Sequence, residues 1–252
     1  ESITKMNISK FFNKHIFKED NYILYHRVKP GTPTDLTQSG VRATLAQICG
    51  VSNTYKASGK DIPLFKFLMD DNYFGQKDNE GNLIEVAKLL EDYFIAIKSF
   101  NEEEFNLNGD GVILFGSLFV AWFKILYEIL VFADQKNQLR AHFKSTRQGR
   151  INKFKEILTP FYNDKLSQIT TDDHRSDFKS LYYGANQKKL LYLLAGSIRD
   201  LDGYDDFAPE LVAKGSKEIE SILSILNSDH ETKDLEIKSN IFKVLPDLTS
   251  PE

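Results

Sequence analysis

One segment of the chain, Gly111 to Phe132, is apolar at nearly every position. Only Lys124 and Glu128 interrupt it, and their spacing of four residues places both on one side of a helix, where they can pair with each other or with polar neighbours. A helix that is apolar on all sides must be buried, either in a protein core or in a bilayer. Its longest uncharged run, Gly111 to Phe123, is too short to cross the hydrocarbon layer. The pattern therefore predicts the buried central helix of a soluble protein.

A second segment, before the central one, has the three-four spacing of an amphipathic helix. Asn79 or Asn82 is available as its N-cap. We expect Asp110 to cap the central helix, because the helix dipole favours a carboxylate at that end, and Trp122 to belong to the core. The apolar positions of the amphipathic helix are Leu83, Val86, Ala87, Leu90, Tyr93, Phe94 and Ile97.

Shorter helical patterns follow. A broken apolar stripe over 139–158 predicts helix, with Gly149 as a candidate break and Pro160 as its end. Asp172 or Asp173 begins a helix that reaches Tyr183, a leucine-rich stretch over 190–198 indicates another, and 216–226 a late one. No alternation is long enough for a sheet. The sequence thus predicts a mainly α fold, with a single multi-helix domain over 1–228 around the buried helix at about 111–132, and a polar tail or peripheral helix over 229–252.

Composition limits the class of protein. The 252 residues include 41% hydrophobic positions, which suits a globular fold, and carry a net charge of -4. A single cysteine, Cys49, excludes an internal disulfide framework and a cysteine-based zinc site, so we expect a reducing, cytoplasmic location. The sequence starts at Glu1 rather than Met, which suggests a piece of a longer protein.

The search for catalytic or metal-binding residues gives one candidate cluster. Asp172, Asp173, His174 and Asp177 offer three carboxylates and an imidazole within six residues, which could hold a cation or act as acid and base. Acidic residues in a first helical turn are also what the helix dipole favours, and we prefer that interpretation. Phosphate-binding and dinucleotide-binding glycine motifs are missing from the sequence. We therefore expect no catalytic residue, metal or cofactor, and favour a non-catalytic protein.

Two segments suggest nucleic-acid binding. Residues 45–52 look like the first helix and turn of a helix-turn-helix motif, but the following residues lack the apolar spacing of a recognition helix. The stronger candidate is 136–155, which holds seven basic residues and no acidic one. Such side chains can neutralise backbone phosphates without reading bases, whereas the alternative is a solvated face balanced by the acidic C-terminal region. The candidate nucleic-acid-binding residues are Arg140, Lys144, Arg147, Arg150 and Lys153.

The order of several segments resembles a known family. The stretch QSGVRATLAQI is followed by the LLEDYFIAI helix, the buried helix, SLYYGANQKKLLYLLAGSIRD and DDFAPELV. This order resembles the helical C-terminal region of DGQHR-domain proteins, which are bacterial relatives of the regulator of DNA sulfur modification, over roughly residues 7–212. The Asp-Gly-Gln-His-Arg motif itself, which the family carries in an N-terminal ParB-like half, does not occur here. The resemblance implies association with DNA-modification or phage-defence loci and transfers no catalytic residue.

From these patterns we expect a non-catalytic helical module of the bacterial cytoplasm that acts in DNA association or regulation. Its partners would be DNA, contacted through the phosphate backbone, another protein, or its own N-terminal domain, and not a membrane. Two alternatives remain open. The module is a helical lobe that completes an active site supplied by a missing N-terminal half, or it is purely a protein-interaction domain.

Overall fold

The computed structural model describes residues 23, 79–107, 111–167, 169, 172–181 and 187–215. This part of the chain is 76% helical and contains no strand, which confirms the mainly α prediction. The helix-turn-helix-like segment, Cys49, the late helix over 216–226 and the tail over 229–252 lie outside the described residues.

Seven α-helices have defined bounds within the described ranges. They are α1 (Asn79–Lys98), α2 (Glu102–Asn106), α3 (Gly116–Gln135), α4 (Leu139–Phe143), α5 (Arg147–Phe161), α6 (Asp172–Leu181) and α7 (Gln187–Arg199). A π-helical segment, Tyr162–Leu166, continues α5, and a helical turn over 209–215 follows α7. Helix α5 packs between α1 and α7, α3 packs on α7, and the short α4 joins α3 to α5.

Helix α3 is the centre of the core. Its apolar residues are buried on all sides of the helix, as the sequence pattern predicts. Among the exceptions are Lys124, which is exposed, and Tyr127, Glu128 and Val131, which are half-buried. Burial raises the pKa of Glu128, and the negative charge of Glu210 raises it further. The buried residues of α3 include Leu118, Phe119, Ala121, Trp122, Phe123, Ile125, Leu126, Ile129, Leu130, Phe132 and Ala133.

Trp122 fixes the contacts of α3 with three other parts of the chain. Its side chain is 1% exposed, and its indole N–H donates a hydrogen bond to the carbonyl of Ile113 at 2.9 Å. The indole ring meets Phe161 of α5 edge to face at 5.7 Å between centroids. The Trp122 carbonyl accepts a hydrogen bond from the buried hydroxyl of Tyr93 in α1 at 2.8 Å. This confirms Trp122 as a core residue.

The start of α3 differs from the prediction. The helix begins at Gly116 with Phe115 at the N-cap position, so the prediction that Asp110 caps it is wrong. Residues 111–114 are buried but not helical, because their polar groups find other partners: the N–H of Val112 donates to Oε2 of Glu104 at 3.1 Å. A Cβ at Gly111 would lie 2.3 Å from the Glu104 carbonyl oxygen, so this close approach requires glycine.

Two predicted helix boundaries in the basic region are also wrong. The break between α4 and α5 precedes Arg147, and Gly149 lies inside the first turn of α5, where its N–H donates to the capping hydroxyl of Thr146 at 3.2 Å. Helix α5 also does not end at Pro160, since it continues through it to Phe161. Proline removes one helical hydrogen bond, and the burial of Phe161 in the core holds the chain helical despite this loss.

The remaining helices agree with the periodicity. Helix α1 begins at Asn79, so Asn79 and Asn82 both lie inside the helix and the prediction that one of them is its N-cap is wrong. Helix α6 begins at Asp172 as expected, and α7 buries the leucine-rich face. The buried residues of the described helices form one continuous cluster. None of these helices combines the length and apolar character that a bilayer-spanning segment requires.

Replacing Trp122 tests the central packing. We expect Trp122→Ala to lower the free energy of unfolding by about 3 to 5 kcal/mol, because it leaves a large cavity and an unpaired Ile113 carbonyl. Trp122→Phe keeps most of the volume, so we expect a smaller loss. Urea unfolding followed by circular dichroism measures both. Equal stability of Trp122→Ala and the wild type would contradict the assignment of this side chain to the core.

Candidate nucleic-acid interface

The basic segment, defined as residues 136–155, begins directly after α3 and covers α4 and the first part of α5. Lys136, Arg147, Arg150 and Lys153 form ion pairs with carboxylates of the fold, a difference that the sequence alone does not show. Arg140 and Lys144, together with one edge of Arg147, are exposed at the α4–α5 corner, defined here as residues 140–147.

Arg147 and Arg150 both bind the buried carboxylate of Asp92 in α1. Arg150 donates to Oδ2 of Asp92 from Nε at 2.6 Å and lies 2.5 Å from it through Nη2, while its Nη1 donates to the Ser145 carbonyl at 3.0 Å. Arg147 donates from Nε to Oδ1 of Asp92 at 3.0 Å. The Asp92 side chain is 1% exposed, so these two guanidinium groups supply the partners that a buried carboxylate requires.

The two arginines differ in exposure. The Arg150 side chain is 14% exposed, whereas that of Arg147 is 59% exposed. Nη2 of Arg147 also lies 3.5 Å from Oε2 of Glu91, which is 20% exposed. The pKa of Glu91 is raised above its usual value, chiefly by burial. The Arg147 charge lowers this pKa, and the Asp92 charge adds to the rise. Arg150 is therefore part of the packing between α1 and α5, while Arg147 keeps an edge toward solvent.

Lys153 lies in a second cluster of ionisable groups. Its ammonium binds Glu156 at 2.7 Å and lies 5.8 Å from the ring centroid of Tyr204, and its side chain is only 16% exposed. Burial lowers the pKa of Lys153, but the hydrogen bond to Glu156 and the interactions with Tyr204 raise it above its usual value. Burial and the Lys153 charge lower the pKa of His142 nearby. Lys153 thus has carboxylate and aromatic partners within the fold.

Lys136 at the end of α3 also has an acidic partner. It binds Asp206 at 2.8 Å and lies 5.3 Å from the ring centroid of Phe132. The Lys136 contact lowers the pKa of Asp206. This pair connects the end of α3 to the DDFAPELV stretch, residues 205–212, where Phe207 is fully buried.

Arg140 and Lys144 form the outward part of the basic segment. Both are exposed, Arg140 within α4 and Lys144 at its C-cap. Together with the exposed edge of Arg147, they place three positive groups on the α4–α5 corner. Of the five candidate residues, the structure therefore brings Arg140, Lys144 and Arg147 to one exposed corner and places Arg150 and Lys153 in ion pairs of the packed fold.

The acidic partners were not identified from the sequence, although Asp92 gives a signal. Leu89 and Ala96 are buried, and Asp92 lies three residues after the first and four before the second, on the same helix face. A charged residue at such a position needs a partner of opposite charge. Its identity could not be read from the chain, because Arg147 and Arg150 are 55 and 58 residues away.

The described residues of the candidate cluster over 172–177 differ in their exposure. His174 and Asp177 are exposed on α6, and Arg175 between them binds the buried Glu104 of α2. Glu104 thereby joins α6 to the turn before α3. Within the described ranges, no three His, Cys, Asp or Glu side chains are arranged to hold a metal ion.

Comparisons of the chain with protein families, with characterised proteins and with solved structures find no match. The relation to DGQHR-domain proteins therefore stays a prediction that rests on the quoted sequence stretches.

Removing the Arg150 side-chain charge tests its role in packing. We expect Arg150→Gln to lower the free energy of unfolding by about 3 kcal/mol, because the buried Asp92 carboxylate loses one of its two partners. Arg140→Gln is the matched control, and as an exposed substitution it should change stability by less than about 0.5 kcal/mol. Urea midpoints measure both. Equal effects of the two substitutions would contradict the division of the basic segment.

Proposed function

We propose that this protein is a non-catalytic helical module that binds the nucleic-acid backbone through the α4–α5 corner. The observation that supports this most directly is the exposure of Arg140, Lys144 and one edge of Arg147. Lysine and arginine side chains of this kind bind phosphate oxygens and release counterions from the nucleic acid. They carry affinity without sequence specificity, because no base edge is read.

The proposed interface is small. Four carboxylates, those of Glu91, Asp92, Glu156 and Asp206, pair with basic residues of the segment. The attraction for phosphate therefore comes from fewer groups than the seven basic residues of the sequence. We expect weak binding that is largely independent of sequence and falls steeply as salt increases.

The wider biological assignment is part of the same proposal. The resemblance of the helical segments to DGQHR-domain proteins supports a bacterial DNA-modification or phage-defence context and a regulatory or DNA-associating role. In that context, weak backbone binding would hold the module near DNA while another part of the system supplies sequence specificity.

Charge reversal at the corner tests the proposed function. We expect Arg140→Glu with Lys144→Glu to weaken binding of a fluorescently labelled DNA duplex at least tenfold at low salt, for every duplex sequence alike, because two phosphate contacts become repulsive. Fluorescence anisotropy at low and near-physiological salt measures this, and a labelled single strand tests whether a duplex is required.

The control is Lys165→Glu with Lys214→Glu, which changes the net charge by the same amount. Lys165 lies beyond the opposite end of α5 from Arg147, and Lys214 lies in the turn after α7. If wild type fails to bind DNA at low salt, or if both double variants weaken binding equally, the corner is not the binding surface.

A further inference from the structure

We infer that Glu91 competes with nucleic acid for Arg147 and so restrains binding at the α4–α5 corner. This inference rests on the proposed function and concerns the same surface. The Glu91 carboxylate occupies the position that a phosphate oxygen would take on the outer edge of the Arg147 guanidinium.

The geometry separates the two carboxylates that contact Arg147. Asp92 holds Nε at 3.0 Å, is 1% exposed and also binds Arg150, so it is a fixed part of the packing between α1 and α5. Glu91 contacts Nη2 at 3.5 Å, beyond usual hydrogen-bond distance, and its side chain is 20% exposed. Glu91 is therefore the partner that a ligand reaches first and displaces at least cost.

The charges of this cluster point the same way. Arg147 and Arg150 carry two positive charges, and Glu91 and Asp92 carry two negative charges, so the four groups together are neutral. A phosphate that approaches Arg147 meets little net attraction until Glu91 moves away or loses its charge. Without the Glu91 charge the cluster carries one net positive charge, at Arg147, on the same corner as Arg140 and Lys144.

Glu91→Gln removes the competing charge and keeps the shape of the side chain. We expect it to tighten binding of the labelled duplex by about two- to fivefold at low salt, the change that corresponds to one partly exposed ion pair. Glu85→Gln is the matched control, because Glu85 lies on the same helix and also pairs with a basic residue, Lys88, at 2.7 Å. We expect a clearly smaller gain for the control.

Adding Arg147→Gln to Glu91→Gln should abolish the gain, because the effect acts through that guanidinium. Glu91→Ala removes the same charge and serves as a second variant if Glu91→Gln unfolds, as judged by circular dichroism. Equal affinities for Glu91→Gln and Glu85→Gln, or a gain that persists without Arg147, would overturn this inference while the proposed function stands. Absence of binding by both wild type and Glu91→Gln would overturn both.

Discussion

The fold depends on the burial of α3. A helix with apolar side chains on all its faces needs neighbours around it. Helix α7 packs along α3, while Phe94 of α1 and Phe161 of α5 contact its aromatic rings. Trp122 shows how this burial is made compatible with polar groups. Its indole N–H and its own carbonyl are both hydrogen-bonded, to the turn before α3 and to Tyr93 of α1. The core is therefore stabilised by buried apolar surface and by hydrogen bonds to the few polar groups inside it.

Two buried carboxylates place the other helices around this core. Asp92 joins α1 to the start of α5 through Arg147 and Arg150, and Glu104 joins α2 to α6 through Arg175. Each carboxylate loses its hydration on folding, and this cost is offset only when an arginine binds it. This requirement draws part of the basic segment into the fold. The same arginines that suggest phosphate binding in the sequence thus serve first to pair with acidic groups of the protein.

Local apolar patterns predict the helices well but not their ends. The cores of α1, α3 and α7 follow from residues three and four positions apart, which lie on one face whatever the rest of the chain does. The predictions for Asp110, Gly149 and Pro160 rely on capping and helix-breaking preferences of about 1 to 3 kcal/mol, which tertiary packing overrides. The buried turn over 111–114 exists because Glu104 and Trp122 bind its backbone, and neither contact is visible from the preferences of the turn itself.

The sequence predicts the positive charge of the candidate site, but only in part which of its side chains are exposed. Arg140 and Lys144 are exposed, as a binding residue must be. Arg150 is 14% exposed and pairs with Asp92 of α1, and Lys153 is 16% exposed and pairs with Glu156 of α5. A run of basic residues does not reveal which of them a distant carboxylate will bind, because that depends on how helices pack. The α4–α5 corner contains three of the seven basic residues of the segment, Arg140, Lys144 and Arg147.

In the proposed complex, only the corner residues Arg140, Lys144 and Arg147 contact phosphates. The most direct test is the affinity of the wild-type protein for a duplex, measured over a series of salt concentrations. Three phosphate contacts predict a plot of log affinity against log salt concentration with a slope of about -2.7, whereas engagement of all seven basic residues predicts about -6. A slope near the first value would support the account. A slope near the second value, or an affinity independent of salt, would contradict it.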